Sequence, residues 1–360
     1  MKLKIEQFLK VKLEEYQVNR STKKCRKLMK NNILKYGRKF TNLSKKEKKE
    51  INTRWKKYGY NPDMNAYKWF YNVGNIKDWR YITEDFYVEK LMSKIYNVKK
   101  AKALDDKNLY DLYFNDISMP RTIGRRIRGL YLDREYRLIS YSDLVKIIKN
   151  RGGYVVIKPS TNTLQGNDVR LIKAEQIEKI LKLYEGDFII QERIIQHPTF
   201  ASLNESSTNV VRITSMIVNN KVLMLSPTIR VGDSGSFTDQ GGKKQFCIGI
   251  DENGRLKEFG LVTKNSVNKE TVMPNGFKFG GIIVPGFENM KIIIEKVHPR
   301  LSCCPIIGWD FVTDFEGKAV LIECNLHWSG ILKYQECNGP LFGDKTEEIL
   351  DSVFSCNYKR

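Results

Sequence analysis

The amino-acid sequence predicts an α+β protein, with a mainly helical region at 1–100 and mostly antiparallel sheets after it. Three observations carry this expectation. Ile306–Asn325, IIGWDFVTDFEGKAVLIECN, sets apolar β-formers on both sides of Glu316-Gly317, the pattern of two strands joined by a tight turn. NVVRITSMIV and KVLMLSPTIR flank Asn219-Asn220 in the same way. Before residue 100, apolar residues recur at three-to-four spacing between charges, the periodicity of amphipathic helices.

In chain order, IEQFLKVKLEEYQV and Leu43–Tyr58 are expected to be helical, with Ser44 and Glu47 forming a capping box. The aromatic-rich YKWFYNVGNIKDWRYITEDFY is expected to pack the N-terminal region onto the body. From Lys107 onward strands and helices alternate. GYVVIKP is a strand, followed by a polar loop at Ser160–Asp168, the strand VRLIKA, the helix EQIEKILKLY and the strand DFIIQERI. QFCIGID and RLKEFGLV flank an Asn253-Gly254 turn, and a helix at Glu288–His298 precedes the last hairpin. The expected division is a basic helical region at 1–100, a smaller α+β unit at 101–200, and a larger one at 201–360 ending in a helix.

The 360 residues, 41% hydrophobic, suffice for a large core. No apolar run is long enough to span a membrane, and charges interrupt the N-terminus where a signal peptide needs an apolar stretch. Seven scattered cysteines, with a vicinal Cys303-Cys304 pair, suggest reduced thiols and a cytoplasmic location. Only His197, His298 and His327 are present, which weighs against a zinc site or a histidine-based triad. The net charge is +21, and residues 1–60 hold 20 Lys/Arg against 5 Asp/Glu. Such an arm suits peripheral contact with an anionic membrane. A solvated helical surface is the simpler account, and the lack of interleaved aromatics disfavours nucleic acid.

Candidate chemistry centres on the last hairpin. A two-residue turn would set Asp310 opposite Glu323, with Asn325 on the same face. Opposed carboxylates repel, and a magnesium ion relieves that repulsion. The alternative is a surface hairpin with two solvated acids. Lys158 ends a strand just before a small-residue loop, where an ammonium can reach phosphate oxygens. No GxxxxGK[ST] and no GxGxxG after a strand occurs. Gln191, Glu192 and Ile194 lie where a strand leaves its sheet, able to offer polar groups and an apolar wall to a base. Arg212 and Arg230 suit phosphate or carboxylate. An ideal turn puts them on opposite faces, unless Pro227 forces a bulge. The glycine-rich Gly232–Gly242 permits close backbone approach or forms a mobile loop.

Together these segments resemble the ATP-grasp superfamily over residues 100–335. Asp106-Lys107-Asn108, VVIKPS, QERI, VRIT…IRVG…GG and WDFVT…LIECN appear in the family's order. RIIQHP, SSTNVVRIT and IGWD are similar to its sugar-transfer-associated branch, found with bacterial surface-polysaccharide genes. The loop SFTDQGG and the segment near 160–166 depart from the family pattern.

The resemblance implies ATP and Mg²⁺ as cofactors. Lys107 and Lys158 would hold phosphates, and Gln191, Glu192 and Ile194 would bind adenine. Asp310, Glu323 and Asn325 would be metal ligands, with Arg212 and Arg230 catalytic. It implies a carboxylate–amine ligase forming an amide through an acylphosphate, acting on a capsular or cell-surface polysaccharide precursor. The rival on the same fold is a phosphotransferase acting on a sugar hydroxyl, which benefits from a base such as Asp239 or His327. A non-catalytic binder driven by residues 1–60 is the third alternative.

Overall fold

The computed structural model describes residues 20–161, 168–262, 267–326 and 330–354. The first expected helix, most of the Ser160–Asp168 loop and His327 lie outside the described residues.

The smaller sheet contains β1 (Thr122–Ile127), β2 (Leu130–Asp133), β3 (Leu138–Ile139), β4 (Tyr154–Pro159), β5 (Arg170–Lys173) and β6 (Phe188–Glu192), in the order β3-β2-β1-β6-β4-β5. The larger contains β7 (Val210–Val218), β8 (Lys221–Val231), β9 (Phe246–Ile250), β10 (Leu256–Val262), β11 (Lys269–Glu270), β12 (Ile306–Thr313) and β13 (Ala319–Asn325), in the order β11-β10-β9-β8-β7-β12-β13. Every strand pair in both sheets is antiparallel.

Helices Tyr141–Arg151 and Ile177–Leu183 bury Leu144, Ile148, Ile177 and Leu181 against one face of the smaller sheet, on Val155, Ile157 and Ile190. One face of the larger sheet, through Val211, Ile213, Ile229, Trp309 and Phe311, packs on helix Phe287–Val297. The opposite face is shared. At one end Met216, Val218 and Ile306 join the core of the N-terminal region and the C-terminal helix Thr346–Phe354. The other end of that face carries Arg212, Arg230 and Asp310.

The N-terminal region is therefore part of the larger core. Lys45–Lys56 is a helix whose capping box forms as expected, with Glu47 N–H donating to Ser44 Oγ at 3.2 Å and Ser44 N–H to Glu47 Oε2 at 2.7 Å. The aromatic stretch packs inward, as its composition predicts. Tyr67, Trp69, Phe70, Tyr81, Phe86 and Tyr87 are all buried. Trp55 meets Tyr60, Trp79 and Phe86 edge-on, and its indole N–H reaches Tyr67 Oη and the Trp79 carbonyl. Strands β1–β3 and helix Tyr141–Arg151 occupy a stretch for which the sequence pattern named no elements.

Two register shifts shape the larger sheet. The last hairpin turns through three residues, Phe315–Gly317, closed by Asp314 N–H to the Lys318 carbonyl at 3.0 Å, with Gly317 at φ +85°. A two-residue turn at Glu316-Gly317 is thus not formed. Yet Asp310 still faces Glu323, because a bulge between Asp310 and Phe311 pairs Phe311 with Leu321 and leaves Ile322 extra. The β7–β8 turn is the expected Asn219-Asn220 pair, both residues at positive φ. A bulge at Ser226-Pro227, with Ser226 at φ +48°, then shifts the register so that Arg212 faces Thr228 and Val210 faces Arg230.

Because Trp55 is fully buried among aromatic partners, Trp55→Ala is expected to lower stability by about 3–5 kcal/mol. Urea unfolding checks this, and a change below about 1 kcal/mol would show that the N-terminal region is not part of the core.

Candidate active site

The register shift at Ser226-Pro227 gives Arg212 and Arg230 the same face of the larger sheet, because Thr228 and Arg230 are two residues apart on β8. Asp310 lies on β12, directly opposite Arg212 on the intervening strand β7, and its carboxylate contacts both guanidiniums. Arg212 grips it with both arms, Nε to Oδ1 at 2.5 Å and Nη2 to Oδ2 at 2.6 Å. Arg230 Nη2 lies 3.1 Å from Oδ1, and its Nε pairs with Asp239 Oδ2 at 2.7 Å. Burial raises the Asp310 carboxyl, but Arg212 and Arg230 outweigh it and hold it below the ordinary range. For Asp239 burial wins over the pull of Arg230, and its carboxyl is raised. Asp239 belongs to the glycine-rich loop, in which Asp233 Oδ2 accepts from Lys243 N–H at 2.8 Å and Lys244 N–H at 3.1 Å.

The smaller sheet turns Lys158 toward the edge of the larger one. Lys158 donates to the Ile322 carbonyl at 3.3 Å, the carbonyl of the bulged residue in β13. Lys107 is buried in a short turn fixed by its own N–H to the Ser160 carbonyl at 2.8 Å, and it pairs with Glu323 at 3.1 Å. Burial, then the neighbouring Lys107 charge, pushes the Lys158 ammonium down to about 8. Behind that turn, Arg125 is fully buried, donating to the Asn108 carbonyl at 2.7 Å and pairing with Asp111 at 2.5 Å.

These elements bring together Lys107, Lys158, Arg212, Arg230, Asp310, Glu323 and Asn325. The hinge residues divide. Gln191, opposite Val156, shares the face of Lys158 and donates to the Pro120 carbonyl at 3.1 Å. Glu192, opposite the core residue Val155, points to the helix-covered face, where Arg151 holds it at 2.5 Å. Ile194 is half-buried in the segment leaving β6. Tyr334, whose hydroxyl accepts from Arg212 Nη1 at 2.9 Å, has no sequence signal, since nothing in ILKYQE marks it apart from a core tyrosine.

The donor set suits a hard cation. Asp310, Glu323 and Asn325 share one face, and the Asn325 carboxamide Nδ2 lies 3.3 Å from Asp310 Oδ2. A half-turn of the carboxamide presents its oxygen there instead. That separation is close to the roughly 3 Å between adjacent ligands of octahedral Mg²⁺. Among the described residues no group of three or more His, Cys, Asp or Glu gathers for a metal. Phosphate oxygens would therefore complete the shell. Lys107, Lys158, Arg212 and Arg230 stand close to Glu323, Asp310 and Asp239, a set of cationic donors suited to phosphate and carboxylate oxygens.

Two antiparallel sheets thus meet at lysines, arginines and an acidic hairpin. The chain belongs to the sugar-transfer associated ATP-grasp family, whose model matches residues 87–349. Among solved structures it is similar to D-alanyl-alanine synthetase A from Vibrio cholerae, at 12% identity over 71% of this chain and 66% of that one, TM-score 0.43. It is also similar to the ATP-grasp ligase PsnB complexed with minimal precursor (13%, 72% and 62%, TM-score 0.40). A further similarity is to D-alanine–D-alanine ligase from Bacillus anthracis (13%, 72% and 70%, TM-score 0.40). The chain spans less than two thirds of the length of the first two. No curated protein matches it.

The Lys158 ammonium is charged below about pH 8 and neutral above it, so nucleotide affinity should fall as pH rises from about 7 to about 9. Isothermal titration with a non-hydrolysable ATP analogue measures this. Lys158→Arg should flatten the profile, and a profile unchanged by that substitution would assign the titration elsewhere.

Proposed function

We propose that this chain is an ATP- and Mg²⁺-dependent carboxylate–amine ligase. The observation that carries the reading is the pair of buried guanidiniums, Arg212 and Arg230, on one face of the larger sheet beside Lys107 and Lys158. Such a set receives two anions at once, the nucleotide phosphates and a substrate carboxylate. A carboxylate is ionised at neutral pH and needs no general base to attack phosphorus. The attacking carboxylate oxygen bonds to the γ-phosphorus as the bond to ADP breaks. An amine nitrogen then bonds to the acyl carbon as phosphate leaves, and the nitrogen gives up its proton.

In this reading Lys107 and Lys158 hold the phosphates, and Gln191, Ile194 and the backbone of Glu192 form the adenine wall. Arg212 and Arg230 orient the carboxylate and stabilise charge developing on the transferred phosphoryl group. Asp310, Glu323 and Asn325 would hold Mg²⁺, which when bound neutralises phosphate charge. The family's sugar-transfer association supports a precursor of a capsular or cell-surface polysaccharide as substrate, carrying an amino-acid or uronic-acid carboxylate. One observation supports phosphoryl transfer to a sugar hydroxyl instead: burial raises the Asp239 carboxyl beside Arg230, and in that reading Asp239 would take the hydroxyl proton.

Hydroxylamine separates the two. Incubation with ATP, Mg²⁺ and a panel of amino acids and uronic acids should yield a hydroxamate, with Glu323→Gln and Asn325→Ala each reducing the yield by about 10²-fold or more. A phosphate ester without hydroxamate would establish the kinase reading.

We also propose that the enzyme works at the cytoplasmic face of an anionic membrane. Residues 20–57 carry 16 Lys/Arg and two Glu. Lys23, Lys24, Lys27, Lys30 and Lys35 lie exposed on one helix with Leu28 and Leu34. No helix among the described residues is long and apolar enough to cross a membrane. The protein should co-sediment with vesicles containing phosphatidylglycerol at low salt and be released at high salt. Equal binding to purely zwitterionic vesicles, or none to either, rejects this placement.

A further inference from the structure

Helix Leu332–Asn338 lies at the boundary between the two halves of the shared face of the larger sheet. On the site side, Tyr334 Oη accepts from Arg212 Nη1 at 2.9 Å, and Asn338 Nδ2 donates to the Pro227 carbonyl at 2.7 Å. Pro227 belongs to the bulge that brings Arg230 to the face of Arg212. One short helix thus touches both devices that fix the arginine pair.

Seven residues of helix do not hold a fixed place by themselves. The helix has no N-cap of its own, since Ile331 at its N-terminus offers no side-chain acceptor. The N-terminal region supplies what is missing. Glu84 Oε1 accepts from the N–H groups of Ile331 and Leu332, both at 3.0 Å. Burial raises the Glu84 carboxyl against these two bonds. Gln335 makes a two-way pair with the backbone of Ile82, at 2.9 and 2.8 Å. Trp69 Nε1 donates to the buried Glu336 Oε1 at 2.6 Å. Trp69, Ile82 and Glu84 all precede residue 87, where the family match begins.

We infer that the segment from Trp69 to Glu84 is a positioning module for the reaction site: Glu84 sets helix Leu332–Asn338, and Tyr334 on that helix fixes the Arg212 guanidinium on Asp310. Glu84 and Tyr334 are positioning residues, since Glu84 touches no group of the site and Tyr334 acts through Arg212. The inference rests on Arg212 being a site arginine. The test below reads the guanidinium itself.

The full-length protein is labelled with nitrogen-15 at arginine only. A guanidinium sealed onto a carboxylate exchanges its Nε–H slowly with water, and Arg212→Lys assigns that signal. Glu84→Ala should accelerate exchange at Arg212 roughly tenfold, as expected for loss of one to two hydrogen bonds. The Arg125 signal, from a buried guanidinium in the other sheet, should not change. Glu84→Gln keeps an acceptor oxygen and should restore the slow rate. Tyr334→Phe should match Glu84→Ala, and the double variant should add nothing further. Unchanged exchange at Arg212 in Glu84→Ala, or equal acceleration at Arg125, overturns the inference. If Glu84→Ala does not fold, Tyr334→Phe decides, because unchanged exchange there removes the link to Arg212. In turnover assays both variants should lower kcat and leave KM for ATP in place. A wild-type protein inert toward every carboxylate would defeat the ligase reading and leave the exchange result standing.

Discussion

The constraint on which the rest of the structure depends is the burial of Asp310 between Arg212 and Arg230. Taking three charges out of water costs several kcal/mol per ion, and only near-ideal pairing offsets it. Removing any partner would strand a desolvated charge. The surrounding sheet must therefore hold these groups within hydrogen-bond reach before any ligand arrives, which is the condition under which an electrostatic site works without reorganising. Arg212 meets it by a two-pronged grip across adjacent strands, Arg230 by sharing itself between Asp310 and Asp239.

Both irregularities in the larger sheet serve that constraint. In an unbroken β7–β8 ladder the two arginines would project from opposite faces, and one would enter the apolar layer on helix Phe287–Val297. The bulge at Ser226-Pro227 removes that outcome, at a residue that cannot donate a ladder bond in any case. The bulge at Ile322 restores the pairing of Asp310 with Glu323, and its carbonyl is taken by Lys158 from the other sheet. A local defect in one sheet thereby becomes the contact that joins the two.

The N-terminal region belongs to the same logic. Its aromatic core continues the shared face of the larger sheet, so the site end and the structural end of that face are one layer. The polar groups it buries at the junction, Glu84 and the backbone of Ile82, satisfy the first N–H groups of helix Leu332–Asn338 and the buried Gln335 carboxamide, which in turn accepts from Leu341 N–H in the turn after the helix.

Much of this was legible in the sequence. Period-two runs and turn residues gave β4, β6, β7–β10 and the last hairpin. The ordered set of lysines, arginines and acids pointed to the fold and to the candidate residues that the two sheets bring together. The opposition of Asp310 and Glu323 followed from an assumed two-residue turn, although the real turn has three residues and a bulge compensates. Strands β1–β3 carry no clear signal because short, arginine-rich segments such as TIGRRI lack clean alternation. The sequence by itself determined which residue types could bind anions and a hard cation, because those properties reside in the side chains. Only the tertiary structure decided that Arg212 and Arg230 share a face, that Glu192 turns away from Lys158, and that Tyr334 reaches Arg212. Register shifts and helix docking are set by packing between segments up to hundreds of residues apart, and local pattern carries no record of that.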